Sequence, residues 1–492
     1  MEDVNHELSL DEILEIRKEL MPPACKTFFD KDPFKLKRAY MQYVYDDRGS
    51  RYLDCISNVQ HVGHSNPEVA KAVYNQMLET NCNIRFVHQN LARLCEEICS
   101  TLPSDLRKVF MVNSGSEAND VALRISQDYT DGTDIIVVDH AYHGHLSSTI
   151  RLSPYKFNGV GGSGTPSGPP YIHVAPCPDV YRGKYRLSDD EMHDNEKLKE
   201  VSHRYAHDVF EIIDSIKRSG RSLMAFFVES LQSCGGQIVL PPGYLNAVKK
   251  YVNEAGGLMV CDEVQCGVGR CGSCFWAFQL QEDFVPDIVT MGKPMGNGFP
   301  VAAAVTTTKI GNSFCSAGMP YFNTFGGNPV SCSAVLAVWM IMRKEQYQKR
   351  AAEVGKYFLQ QLLKLKRQFN VIGDVRGVGL FIGIDLVADR ATREPLPSET
   401  VKSILYTMKK RGVLLSGEGP HGNVIKIKPP MCFSISNVDE VCTTLKTVLT
   451  EMGLGSFSEN KTLCNGLLNP PTSNAAVNKP TITTYVAETS AC

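Results

Sequence analysis

Phe284-Val285-Pro286-Asp287-Ile288-Val289-Thr290-Met291-Gly292-Lys293-Pro294-Met295-Gly296-Asn297-Gly298 sets a lysine where a short apolar run opens into a glycine-rich turn. Ile288–Met291 reads as a buried strand, and the glycines after it as a turn. A lysine at such a junction is poorly solvated. Burial disfavours its ammonium, and a neutral amine attacks carbonyls and holds a Schiff base. The plainer alternative is a surface lysine beside glycine, so the rest of the chain must supply partners for the reactive one.

Working outward, similar apolar runs stand at 109–112, 134–139, 224–229 and Leu258–Asp262, with helical periodicity at 116–129, 204–219 and 243–255. Strands alternating with helices predict an α/β fold, a mainly parallel sheet covered on both faces. A further helix is expected over residues 8–20. A second, α+β portion begins near 330 with one long helical stretch, 333–367, and a strand opening at Gly373. The reading divides the chain into 1–70 (a segment joining the small domain), 71–330 (the large domain), 331–452 (the small domain) and 453–492, a tail rich in Ser, Thr, Asn and Pro expected to be disordered. Residues 158–170, NGVGGSGTPSGPP, read as a flexible surface loop.

Composition narrows the function classes. The 492 residues are 43% hydrophobic and 21% charged with a net charge of −2, which offers no basic field for nucleic acid or an anionic membrane. No apolar stretch approaches a bilayer span. The acidic start, residues 1–7, reads as neither secretory signal nor transit peptide, and the 17 scattered cysteines suit a reducing, cytoplasmic compartment, with the mitochondrial matrix as the alternative. Cys271 and Cys274 form a CxxC without a second ligand pair, so no metal is expected. No GxxxxGK[ST] is present. The sequon Asn460-Lys461-Thr462 reads as inert.

Several polar residues stand at strand ends, where α/β proteins bind ligands. Asp262 ends its run and is followed by Gln265. Its local role would be a helix cap; a functional one would be to keep a pyridine nitrogen protonated. Gly115 and Ser116 open a helix after 109–112, either as part of an N-terminal cap or as a phosphate site. Tyr142 can stack on a flat ring or fill the core. Glu229 is a further strand-end acid, and Thr324 lies in a glycine-bounded turn.

Together NSGSEAND (113–120), DHAYHGH (139–145), FFVES (226–230), MVCDEVQCGVGR (259–270), TMGKPMGNG (290–298) and FNTFGGNP (322–329) resemble the fold-type I pyridoxal-phosphate enzymes, and among them the class III aminotransferases, over roughly 25–450. The resemblance implies a seven-stranded, mainly parallel sheet and pyridoxal 5′-phosphate held through Lys293. It also implies Asp262 at the pyridine nitrogen, Gln265 at the ring hydroxyl, Gly115 and Ser116 at the phosphate, Tyr142 on the ring and Glu229 among the cofactor contacts. Thr324 would reach the phosphate of a neighbouring subunit, in a homodimer or tetramer. Many family members place an arginine before a Pro-Leu strand to clamp a substrate carboxylate. Here 423–431 read NVIKIKPPM, with Lys426 at that position. Lysine is a point charge and lacks arginine's planar fork. That segment, GLFIGIDL (379–386) and SPYKF (153–157) resemble the phospho-lyases of phosphoethanolamine and 5-phosphohydroxy-L-lysine. The expected activity is elimination of phosphate from such an amine, phosphoethanolamine first, with an omega-aminotransferase as the alternative. Arg85 and Lys426 are the candidate cations for substrate, and Arg376 reads as structural. A silent scaffold on the same fold would need none of Lys293, Asp262 and Thr324.

Overall fold

The computed structural model describes residues 7–455, apart from 158–167 and positions 315, 317 and 319. Most of the loop expected at 158–170, nearly all of the expected tail, most of the acidic start and the sequon at 460–462 lie outside the described residues.

Seven strands form the main sheet: β1 (Leu106–Val112), β2 (Asp134–Val138), β3 (Ile172–Ala175), β4 (Leu223–Glu229), β5 (Leu258–Asp262), β6 (Ile288–Met291) and β7 (Ala302–Thr307). Their order across the sheet is β1-β7-β6-β5-β4-β2-β3, with β7 antiparallel to both neighbours and the other pairings parallel. Every residue of β2, β4, β5 and β6 is buried, as expected of strands covered on both faces. Alternate side chains feed two cores: Phe226, Met259 and Val289 pack into one, Phe227, Val260 and Ile288 into the other. The α/β, fold-type I architecture follows.

The helices α1 (Gly115–Thr130), α2 (Asn195–Arg218) and α3 (Tyr244–Glu254) occupy the expected stretches. α2 starts earlier than its apolar periodicity because the Asp194 carboxylate caps it, accepting from the N–H groups of Glu196 and Lys197. The single helix expected over 333–367 is two, α4 (Pro329–Lys344) and α5 (Tyr347–Gln368). The chain breaks at Gln346, which takes the left-handed conformation (φ 52°) without any glycine or proline to signal it.

After α5, strands β8 (Ile372–Val378), β9 (Phe381–Asp389), β10 (Ser416–Glu418) and β11 (Val424–Ile427) form an antiparallel sheet in the order β8-β9-β11-β10. The N-terminal strands Leu36–Tyr40, Tyr43–Asp46 and Arg51–Asp54 make another small sheet, which Val413–Leu414 joins in parallel with Arg51–Asp54. Lys428, just past β11, donates its backbone N–H to the carbonyl of Cys55 at 2.9 Å. The Lys428 side chain in turn reaches Gln265, three residues past β5, which sets 423–431 against the end of the large sheet.

Candidate active site

Strands β4, β5 and β6 end side by side. Their register sets Asp262 beside Glu229 on one flank and beside Thr290 on the other. Lys293 follows β6 by two residues. The loops leaving these ends and the start of α1 enclose a cavity of about 300 Å³ whose wall includes Gly115, Ser116, Tyr142, Asp262, Gln265 and Lys293.

One end of the cavity is built for an anion. Ser114 caps α1, its Oγ accepting from the Glu117 N–H at 3.2 Å, and the Glu117 carboxylate returns to the Asn113 N–H at 2.9 Å. Capping therefore falls to Ser114 and leaves Gly115 and Ser116 on the cavity wall. Helix geometry leaves their N–H groups without intrahelical partners, and the helix dipole favours negative charge there. A Cβ on Gly115 would come 2.5 Å from Val264 Cγ1, so only glycine allows this approach. Gly144 (φ +133°) closes the same corner; a Cβ there would meet Ser116 Oγ at 2.7 Å.

At the other side Asp262 is 3% exposed and collects three donors. Its Oδ2 accepts from Asn119 Nδ2 at 2.8 Å and from His143 Nδ1 at 2.9 Å; its Oδ1 accepts from the Val264 N–H at 2.9 Å. Asn119 is fixed in turn by the Thr290 hydroxyl, which donates to its Oδ1 at 2.7 Å. With an ionised Asp262, His143 carries its proton on Nδ1, which leaves a buried Nε2 without a partner among the described residues. Oδ1, with a single donor, keeps a lone pair for a cation in the cavity. Asn119, His143 and Thr290 were absent from the sequence-derived candidates, although all three lie inside the motifs NSGSEAND, DHAYHGH and TMGKPMGNG.

Glu229 is placed differently from a ring contact. It is buried outside the cavity wall, where its carboxylate accepts from the N–H groups of Tyr142 at 2.9 Å and Ser233 at 3.0 Å, and burial pushes its carboxyl up. It therefore sets the backbone that presents Tyr142. Gln265 is on the wall, and its Oε1 accepts from Lys428 Nζ at 2.6 Å. Lys293 is half-buried, and no hydrogen bond or ion pair among the described residues engages its Nζ. That amine is free to react.

The remaining candidates lie off the wall. Thr324 is exposed. Arg85 is also exposed and lies over the ring of Phe322 at 3.9 Å, two residues from Thr324, so the two share one surface. Lys426 is ion-paired with Glu418, whose other oxygen accepts from the Tyr155 hydroxyl at 2.7 Å. Burial pulls the Lys426 ammonium down, but Glu418 beside it more than offsets this. Arg376 binds Asp374 at 2.8 Å and Asp385 at 3.2 Å, a structural cross-tie as expected.

A model of the class III aminotransferases matches residues 29–449. The chain belongs to the class III aminotransferase family. It is 48% identical over 445 residues to ethanolamine-phosphate phospho-lyase homolog 1 of Caenorhabditis elegans, spanning 90% of this chain and 94% of that protein. It is 35% identical to the human mitochondrial alanine–glyoxylate aminotransferase 2 over 90% of this chain and 87% of the other. Among solved structures it resembles an Arthrobacter phospholyase in complex with phosphoethanolamine, with a TM-score of 0.80, 35% identity and coverage of 89% of this chain and 99% of that one. The family's cofactor is pyridoxal 5′-phosphate, and the cavity fits it. A glycine-lined cradle at a helix N-terminus suits the phosphate, a carboxylate held by three donors suits the pyridine nitrogen, and an unengaged lysine amine suits the aldehyde. No helix among the described residues is long and apolar enough to cross a membrane.

Proposed function

We propose that this protein is a phospho-lyase converting O-phosphoethanolamine and water to acetaldehyde, ammonia and phosphate. The observation that carries the reading is the state of Lys426. Where many class III aminotransferases keep an arginine for the substrate carboxylate, this chain has a lysine whose charge is already matched by Glu418. A substrate without a carboxylate asks nothing of that position. The likeness to the C. elegans and Arthrobacter proteins supports the same reading.

In this reading Gly115 and Ser116 hold the cofactor phosphate, Asp262 keeps the ring nitrogen protonated, Gln265 meets the ring hydroxyl and Tyr142 covers the ring. The bound cofactor supplies an electron sink next to the carbon that bears the substrate nitrogen. Lys293 Nζ takes the proton from that carbon. The electron pair left behind expels phosphate from the adjacent carbon, breaking its C–O bond, and water completes hydrolysis to aldehyde and ammonia. Phosphate release from phosphoethanolamine is expected without any keto acid. Strict dependence on pyruvate or 2-oxoglutarate would instead establish the aminotransferase reading. The alternative substrate, 5-phosphohydroxy-L-lysine, is the second to assay.

We further propose that the functional unit is a homodimer or tetramer in which Thr324 completes the phosphate site of a neighbouring subunit. Phe322 (37% exposed), Phe325 (67%), Phe86 (66%) and Val87 (105%) surround Thr324 and Arg85 in sequence, and that much exposed apolar surface suits a second copy. Thr324→Ala is expected to weaken cofactor binding about tenfold, the worth of one hydrogen bond to a charged group. Mixing it with Lys293→Ala subunits should restore wild-type affinity in the sites that pair an intact lysine with an intact threonine. Unrestored affinity in the mixture would place Thr324 in its own subunit's site.

A further inference from the structure

A second lysine lies behind the cavity wall and none of the roles above uses it. Lys428 is 2% exposed, yet no carboxylate pairs with it among the described residues. Its Nζ donates to Gln265 Oε1 at 2.6 Å and to Ser233 Oγ at 2.7 Å, and it lies 5.6 Å from the centre of the Phe381 ring. Burial holds its ammonium well below the usual lysine range, and the charges of Lys426 and Lys293 add to this. Charged or neutral, the amine has at least two N–H donors, enough for both oxygens. A buried lysine without a counter-ion is costly, and a lysine unconnected to function would be replaced by an apolar side chain without loss of stability.

The geometry fixes the amide of Gln265. Its oxygen receives Lys428 and, at 3.3 Å, the Ser233 hydroxyl, while its Nε2 has only a distant contact of 3.9 Å with Cys234 Sγ. A flipped amide would set its NH2 group against the N–H that Lys428 directs at this position from 2.6 Å. Ser233 is itself anchored, because its backbone N–H donates to Glu229 at 3.0 Å. The line Glu229–Ser233–Lys428 thus holds the oxygen of Gln265 inward and leaves its NH2 group as the side available to the cavity.

We propose that Lys428 is a positioning residue for the cofactor: by pinning the Gln265 oxygen it presents the Gln265 NH2 group as a donor to the ring hydroxyl oxygen of pyridoxal phosphate. The inference rests on the reading of Gln265 as the ring-hydroxyl contact. That ring oxygen also shares the proton of the nitrogen joining Lys293 to the cofactor. A donor that satisfies the oxygen weakens its hold on this proton, so the nitrogen deprotonates at lower pH. Loss of the donor moves the transition up.

The test is the pH midpoint of the visible absorption change of the cofactor-loaded enzyme without substrate. Gln265→Ala and Lys428→Met are each expected to raise the midpoint by about one pH unit, the scale of one lost hydrogen bond to a charged group. The double variant is expected to match Gln265→Ala alone, because Lys428 acts through that amide. A wild-type midpoint in Lys428→Met, or shifts that add in the double variant, overturns the proposal. An unmoved midpoint in Gln265→Ala overturns instead the reading of Gln265 beneath it. If Lys428→Met does not fold, Ser233→Ala carries the test: it removes a second donor to the same oxygen and is expected to raise the midpoint by a smaller amount, and no movement counts against the proposal.

Discussion

Replacing Lys293 with alanine is expected to remove the visible absorbance of the cofactor-loaded protein and to lower kcat for phosphate release by about 10⁴-fold or more. Two losses coincide in that change. In the proposed reading, the amine that holds the cofactor covalently is gone, and so is the base that takes the proton from substrate. A positioned base alone contributes about 10²- to 10⁴-fold, and covalent capture adds to it. The fold should not suffer. Lys293 is half-buried and engaged by no hydrogen bond or ion pair among the described residues, so its truncation orphans no partner. It also removes one of the charges that disfavour the Lys428 ammonium. Thermal unfolding is therefore expected to stay within about 1 kcal/mol of wild type. A variant that keeps the visible band would reassign the cofactor lysine, and Lys428, the other buried amine at the site, would be the first to test. External amines such as methylamine, supplied as a base in solution, should restore part of the lost rate if the missing group is the base.

The contrast between Lys293 and its surroundings shows which features the sequence makes legible. Leu258–Asp262 and Ile288–Met291 were readable to the residue, because Gly257 precedes one, Pro286 stands before the other and Gly292 ends it. Such breakers mark ends that periodicity alone leaves vague. β7 (AAAVTT) escaped because its first half is alanine and its β-branched half, Val305-Thr306-Thr307, is only three residues long; pairing with β6 and β1 makes it a strand, which is a tertiary cause. β3 escaped because His173 interrupts its apolar run, although Pro170 and Pro176 bound it. The helix boundary at Gln346 was invisible for want of a glycine or proline.

The site divides in the same way. Lys293, Asp262 and Tyr142 bring distinctive chemistry near strand ends, yet each alone also had a plainer reading; only their order together, with Gln265 added by the family resemblance, pointed to one site. Residues whose role lies in meeting another chain segment could not be picked out. Asn119 and Asp262 are 143 positions apart, and Lys428 and Gln265 are 163 apart. Lys426 and Lys428 in Ile425-Lys426-Ile427-Lys428 look like the polar alternation of a half-exposed strand. One is in fact neutralised by Glu418, eight positions earlier, and the other lies behind Gln265. Glu229 shows the converse: a strand-end acid with the right chemistry, which the fold spends on the backbone of Tyr142 and Ser233.

Asp262→Asn carries the second large effect, and its hydrogen bonds separate charge from shape. Asparagine keeps the volume but removes the negative charge that favours a protonated ring nitrogen, so the electron sink weakens. A loss in kcat of about 10³-fold, roughly 4 kcal/mol of barrier, is expected with cofactor saturating. The substitution also strains its neighbours. Oδ2 takes two donors, Asn119 Nδ2 and His143 Nδ1, and Oδ1 takes the Val264 N–H. Either orientation of an asparagine amide therefore turns a donor against at least one donor. Turning the NH2 group toward Val264 spares the other two bonds and leaves one N–H unsatisfied. Turning it toward Asn119 and His143 breaks two. His143 has one escape, because moving its proton to Nε2 makes Nδ1 an acceptor and gives the amide a partner, and this tautomer shift is open since Nε2 has no other partner among the described residues. A stability cost of about 1–3 kcal/mol is expected, the penalty of one unsatisfied buried donor. Adding His143→Phe to Asp262→Asn removes that escape and should destabilise further, while in the wild-type background the same change leaves Asp262 two of its three donors. Activity of Asp262→Asn within tenfold of wild type, measured on folded and fully loaded protein, would mean that the carboxylate's charge is not what drives the elimination.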